Sequence, residues 1–276
     1  MLRHVTLATL LACAASSAAS AGCSCSEEPQ VAAAPVAAQP AVVAPVAGEP
    51  AVATPAPARA AAGAITGKIS FEGTPPARDK VDLSPDPVCH KKHGDEGMLN
   101  PVAVEVDAGG GLHNVFVQLT GVPESANKDG KDAPPATIDQ QGCNYVPHVL
   151  GVLKKQKVNI LNSDPTLHNI HGQPKTNKEF NYAMPNQGDV RDVEFKKAEE
   201  AVKIKCDVHA WMAAFCFVME HPYFAVSGPD GSFSIDATGL PDGEYGVKAW
   251  HEILGTAEGK VTVKDGAGTF SHTFKK

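Results

Sequence analysis

Apolar and polar residues alternate along this chain far more than they follow any helical period. In residues 64–71, Ile65, Gly67, Ile69 and Phe71 fall on one side, and Val115, Val117 and Leu119 repeat that period further on. Both segments are predicted as strands with one buried face. Residues 201–206 read the same way: Val202, Ile204 and Cys206 share an inner face, which aims the Cys206 sulfur into the protein. Near the C-terminus, Gly231-Ser232-Phe233-Ser234-Ile235 leads through Leu240-Pro241-Asp242-Gly243 into a second alternating run at 244–250. The Pro-Asp-Gly turn between those runs is a hairpin signal. No long segment repeats at 3.6 residues, so the expected fold class is all-β.

The first 62 residues break this pattern. Met1-Leu2-Arg3-His4 is a short basic head, residues 5–15 are apolar and small, and Ala19-Ser20-Ala21 fits an Ala-x-Ala cleavage site. Residues 1–22 therefore read as an export signal, too short for a membrane span. Ser20-Ala21-Gly22-Cys23 resembles a bacterial lipobox in which Cys23 would be acylated, although Ser20 stands where an aliphatic residue is usual. Leu10-Leu11-Ala12-Cys13 fits that pattern better but leaves too short a signal. Residues 23–62 are dominated by Ala, Pro and Val, a composition that packs no core and stays extended, so they read as a semi-rigid spacer. Two outcomes follow: a lipoprotein tethered to the envelope, in the periplasm or on the outer membrane, or a freely exported protein carrying a stalk.

Composition narrows the class further. A chain of 276 residues with 43% hydrophobic residues suffices for one or two globular units. The net charge of −7 comes without a basic stripe, which argues against nucleic acid and is compatible with a basic redox partner. Of seven cysteines, Cys13 leaves with the signal and Cys23 is the lipidation candidate. With Cys206 set aside, Cys25, Cys89, Cys143 and Cys216 remain. In an oxidising exported compartment Cys89 and Cys143 are a candidate disulfide. The alternative is a second soft-metal site built from Cys89, His90 and His93 with Cys143 and His148, a spacing that is not diagnostic.

The richest chemistry lies in Lys205-Cys206-Asp207-Val208-His209-Ala210-Trp211-Met212, with Asp164-Pro165-Thr166-Leu167-His168-Asn169-Ile170-His171 upstream. One upstream histidine followed by Cys-x2-His-x2-Met supplies two imidazoles, a thiolate and a thioether. That is the donor set of a mononuclear blue-copper site, with two His and one Cys in a plane and a distant axial Met. His171, three positions from His168, falls on the opposite face of a strand. A structural zinc site has little use for a thioether. Purely structural packing rarely gathers four ligand-competent residues, and no oxyanion hole or orienting third group accompanies a Cys/His nucleophile. A binuclear copper centre needs two cysteines in the loop, and multicopper oxidases need His-x-His pairs that the chain lacks. Trp250-His251-Glu252 reads as a core plug at a strand end, or alternatively as a docking edge for carbohydrate or a partner.

Over roughly residues 134–222 these motifs resemble the cupredoxins, and within them the amicyanin type, whose ligand loop is also Cys-x2-His-x2-Met and whose upstream ligand also sits in His-Asn-x-His. The resemblance extends to bacterial exported methylamine-utilisation and plastocyanin-like proteins. It implies a Greek-key β-sandwich holding one type 1 copper through His168, Cys206, His209 and Met212, with Asn169 tying the two ligand loops together. Ala210-Trp211 stands where a proline is common, and Cys216 follows soon after, two departures that bear on solvent access. The flanks resemble a second family, the transthyretin-like carboxypeptidase regulatory domains. That likeness rests on the opening strand, Asp230-Gly231-Ser232-Phe233-Ser234-Ile235 and Leu240-Pro241-Asp242-Gly243-Glu244-Tyr245. The expected organisation is a small sandwich of residues 63–131 and 223–276 interrupted by a copper domain at 132–222; two sequential sandwiches are the alternative. The implied function is one-electron transfer at the cell envelope, as a carrier rather than a catalyst, with an unidentified redox partner and the exposed edge of His209 as the route of exchange. Copper delivery without a redox role, and an adhesion or glycan-binding sandwich with a vestigial site, are the alternatives.

Overall fold

The computed structural model describes residues 63–276; the export signal, Cys23, Cys25 and the spacer lie outside the described residues. The described chain is nearly all strand, with one α-helix, Pro87–His93, and two short 3-10 turns. No helix among the described residues is long and apolar enough to cross a membrane.

Four main sheets stack in two pairs. In the first pair, one sheet sets Ala64–Glu72 between Ser232–Asp236 and the short strands Gly268–Thr269 and His272–Lys275. Its companion runs Phe224–Val226, Phe116–Thr120, Gly243–His251, Gly255–Val263. The alternating residues read from the sequence face inward here: Ile65, Ile69, Phe71, Val115, Val117, Leu119, Phe233, Ile235 and Val247 form one core. Burying such a face is the main driving force for the pair, at about 25 cal/mol per Å² of apolar surface.

The second pair carries the ligand motifs. A five-stranded sheet runs Phe180–Met184, His168–Gln173, Glu199–Lys205, Ala213–Met219, Val149–Leu153. A four-stranded sheet runs Val190–Glu194, Lys157–Asn162, Ala136–Gln140, Tyr145–Val146. Their shared core includes Ile138, Val158, Ile160, Ile170, Val202, Ile204, Cys206 and Met212.

The two pairs meet through a third cluster. Phe116 stacks on Phe217 with ring centroids 3.9 Å apart, and Trp250 packs edge-on against Phe215 and Phe217 at 5.1 and 5.0 Å. Trp250 is thus a plug between the pairs rather than a docking edge. Gly151 permits the approach, because a Cβ there would collide with the rings of Phe224 and Phe116. A buried polar pair adds a link: His148 Nδ1 lies 2.9 Å from the Ala213 carbonyl, and its Nε2 lies 2.8 Å from Glu252 Oε1.

One expectation is corrected, and one segment is placed more closely. The Pro-Asp-Gly segment does not close a hairpin: Ser232–Asp236 pairs with Ala64–Glu72, whereas Gly243–His251 pairs with Phe116–Thr120 and Gly255–Val263. Both runs bury their alternating face in one core, but from opposite sheets, and the buried Ala237 and Leu240 carry the connection across it. Residues 73–103, expected within the outer sandwich, add only the short pair Lys80–Val81 and Met98–Leu99 and the helix. Val81, Leu83, Cys89 and Met98 of this segment pack with Cys143 and Trp211, beside the ligand motifs.

Candidate metal centre

Each candidate ligand is set by a strand end. His168 opens the strand His168–Gln173, while Cys206 follows Glu199–Lys205, the neighbouring strand of the same sheet. The chain then turns tightly: Met212 N donates to the His209 carbonyl at 2.9 Å, and Cys206 N to the Met212 carbonyl at 3.3 Å. This closes Cys-x2-His-x2-Met onto itself before Ala213–Met219 begins. All four side chains are sealed, with exposures of 0% for His168, 3% for Cys206, 2% for His209 and 0% for Met212.

Three donor atoms converge. Nδ1 of His168 and Nδ1 of His209 are 2.9 Å apart, and His209 Nδ1 is 3.9 Å from Cys206 Sγ. Met212 lies in the same core cluster as Cys206. A second buried thioether, Met184, faces His168 across the ladder, but its sulfur accepts from the Gln140 amide at 3.0 Å. Asn169 ties the two ligand segments: its Oδ1 accepts from Asp207 N at 3.0 Å, and its carbonyl accepts from the Tyr145 hydroxyl at 2.5 Å. His171 points away, to Asp207 and Glu179.

The outer edge of each imidazole meets a carboxylate. His168 Nε2 is 3.0 Å from Asp164 Oδ2, and His209 Nε2 is 3.0 Å from Asp86 Oδ2. Burial opposes the charge of Asp164, yet hydrogen bonds from His168, Cys143 N, Lys92 and Gly142 N outweigh it and hold the carboxyl well below the usual range. Burial likewise opposes Asp86, and bonds from Cys89 N, Thr166, His209 and Val88 N again outweigh it. Burial also works against the Cys206 thiolate, but the His209 ring together with the amides of His209, Val208 and Asn169 brings its pKa below the ordinary thiol value. Cys216, with burial as the main cause, is pushed up to about 12 and remains an inert core thiol.

This arrangement passes a test for a cation. Ionised carboxylates only accept, so both Nε2 atoms donate, which leaves the two Nδ1 atoms facing each other beside Cys206 Sγ. Lone pairs 2.9 Å apart are satisfied by a shared proton or by a metal ion. Two imidazole nitrogens and a cysteine sulfur, with a thioether in the same core cluster, suit copper better than zinc, magnesium or calcium.

One expectation fails, and the alternative to the Cys89–Cys143 disulfide falls away. The edge of His209 is not exposed: helix Pro87–His93 lies over it, with Asp86 as the helix N-cap accepting from Val88 N and Cys89 N. Trp211 covers another side, its ring 4.9 Å from His209 and its indole nitrogen donating to the Cys143 carbonyl at 3.0 Å. Nor do the other histidines join Cys89 and Cys143 in a second cluster. Those cysteines are bonded, with S–S 2.06 Å, while His93 reaches the Gly142 carbonyl and His148 turns to Ala213 and Glu252. A cleft of 510 Å³ lies on the other side of the loop, lined by Lys203, Lys205, Cys206, Trp211, Met212 and Phe215, among others.

Asp86 and Asp164 are the residues that sequence reasoning missed, whereas the sequence itself marks Trp211 as bearing on solvent access. Asp86-Pro87 carries a helix-start signal, an Asx cap before a proline at the first helical position. Asp164 stands four positions before His168, but nothing in that spacing separates it from a turn residue.

No family model matches the chain, and a search of curated proteins finds no match. Among solved structures, the purple cupredoxin from Nitrosopumilus maritimus is similar at 25% identity, over 30% of this chain and 99% of that one, with a TM-score of 0.27. An oxidised single-site variant of amicyanin is similar at 18% identity, over 37% of this chain and 98% of that one, with a TM-score of 0.29. A copper-containing nitrite reductase from Thermus scotoductus is similar at 20% identity, over 36% of this chain but only 27% of its own length, with a TM-score of 0.28.

Proposed function

We propose that the chain is an exported copper protein that carries single electrons. A sandwich of residues 132–222 would bear the copper, and a discontinuous sandwich drawn from 63–131 and 223–276 would support it, with residues 73–103 lending their helix to the metal site. The observation that carries this reading is the facing pair of Nδ1 atoms, 2.9 Å apart beside Cys206 Sγ. Copper held by His168, Cys206 and His209, with Met212 as the further donor, would supply a one-electron couple and thiolate-to-metal charge transfer. The residues themselves supply rigidity. Both imidazoles are anchored at Nε2, Cys206 Sγ accepts from His209 N at 3.3 Å, and Asn169 locks the two ligand segments together. A fixed donor cage that cannot relax between oxidation states suits electron transfer, whereas copper delivery needs a site that opens. The chain has only five Met in all, which argues against the Met-rich surface of a copper donor.

The sequence supports the rest of the reading: a lipid anchor at Cys23, with the Ala/Pro-rich spacer between it and the domain, and a redox partner protein. Repeated reduction and reoxidation of copper-loaded protein in the presence of a Cu(I) chelator separates carrier from donor. A carrier keeps its copper through successive cycles; stoichiometric loss in the first cycle would assign the protein to delivery.

A further inference from the structure

Asp86 and Asp164 hold equivalent places on the two imidazoles. Each accepts Nε2 of one histidine at 3.0 Å. Each also accepts the backbone N–H of one half-cystine, Cys89 N to Asp86 Oδ1 at 2.9 Å and Cys143 N to Asp164 Oδ2 at 2.7 Å. Since Cys89 and Cys143 are bonded, the bridge ties the two carboxylates to each other through the backbone groups they accept from. Further bonds lock both. Asp86 also takes Val88 N and Thr166 Oγ1, and Asp164 also takes Gly142 N and Lys92 Nζ. Capping a short helix needs only a polar acceptor, which Asn or Ser provides equally well. At Asp164 the carboxylate also serves Lys92 Nζ and, through different oxygens, Gly142 N and Cys143 N. What both places share is an imidazole N–H that a carboxylate holds and charges from behind.

We infer that Asp86 and Asp164 are a matched pair of positioning residues, joined through the Cys89–Cys143 bridge, which hold both imidazoles as Nε2–H tautomers and place negative charge behind both Nδ1 donors. The inference rests on the metal reading above and deepens it. A carboxylate behind a metal-binding imidazole makes the opposite nitrogen a stronger donor, and losing such a partner typically costs about 10–100-fold in metal affinity. The added charge favours the more highly charged ion, so Cu(II) gains more than Cu(I), and the copper potential is lowered. One carboxylate, Asp86, reaches the centre only because the helical segment folds over His209, so that segment sets the metal's preference as well as shielding it.

The test has two readouts on the full chain with its disulfide intact. In metal-free protein, nitrogen-proton spectra of the imidazoles should show a slowly exchanging proton on Nε2 of both His168 and His209; a bare Nε2 on either overturns the inference. In copper-loaded protein, Asp86→Asn and Asp164→Asn should each weaken Cu(II) binding about 10–100-fold and Cu(I) binding less. The midpoint potential should then rise by about 59 mV for every tenfold difference between the two losses. Restoring the charge with Asp86→Glu should bring the potential back toward that of the unaltered protein. Equal losses for both oxidation states, or an unchanged potential, overturn the inference. Should Asp164→Asn fail to fold because that side chain is fully buried, Asp86→Asn at its less buried place decides alone. The copper reading fails separately: Nε2 protons as expected, but no thiolate charge-transfer band with copper, would leave two carboxylate-anchored histidines without a blue-copper centre.

Discussion

At the scale of single residues, buried polar side chains define the site because each has run out of alternative partners. His168 and His209 each spend one ring nitrogen on a carboxylate, so the other is left for whatever fills the space between them. His251 shows the same accounting with a different result. Its Nδ1 accepts from Ile253 N at 3.1 Å and Leu254 N at 3.4 Å, which requires an unprotonated Nδ1. Burial, aided by His148 and opposed by Glu252 and Glu105, lowers its pKa to about 4. The unfolded chain therefore takes up this proton near pH 6.5 and the folded chain only near 4. Between those values the unfolded state binds more protons, so this contribution to stability is complete above 6.5 and is lost as pH falls toward 4. Denaturant midpoints at pH 7 and pH 4.5 should differ more for the native chain than for His251→Asn, which keeps an acceptor but cannot titrate. An equal difference in both proteins would contradict the assignment.

Among the elements, helix Pro87–His93 and its flanks are the part of the molecule least legible in the sequence. Alternation revealed the strands, since Val202, Ile204 and Cys206 must share a face whatever lies around them, and the spacing of Cys206, His209 and Met212 revealed the ligand loop. The covering of His209 was not legible. It depends on a seven-residue helix docking through one bonded cysteine pair and one aspartate, contacts with no period of their own. The hairpin at Pro-Asp-Gly failed for a related reason: alternation reports which side of a strand is buried, not which sheet the strand joins. The bridge between Cys89 and Cys143, 54 residues apart, closes a loop worth about 4 kcal/mol in the chain-entropy model. Paired Cys89→Ser and Cys143→Ser replacements should therefore lower unfolding stability by up to that amount and make His209 reactive toward a small imidazole-modifying reagent in metal-free protein. Stability reduced with His209 still protected would show that Asp86 and Trp211 close the site without the bridge.

For the whole molecule, the burial of the centre bears on the proposed electron exchange. The Cys206, Trp211 and Met212 side borders a cleft, while the imidazole edge that the sequence pointed to is closed. The junction of Phe116, Phe217 and Trp250 and the His148–Glu252 pair, one residue beyond Met212 through the Ala213 carbonyl, bind the metal loop to the outer sandwich as one packed body. All of this matters to function only if copper occupies the cage formed by His168, Cys206 and His209. Copper should therefore be titrated into the full-length metal-free protein while the visible spectrum is recorded, with Cys206→Ser and Cys216→Ser as parallel samples. The account predicts an intense thiolate-to-copper band that saturates at one copper per chain, bleaches reversibly on reduction, persists in Cys216→Ser and is absent in Cys206→Ser. A native protein that stays colourless with copper bound, or a band that survives Cys206→Ser, would contradict it.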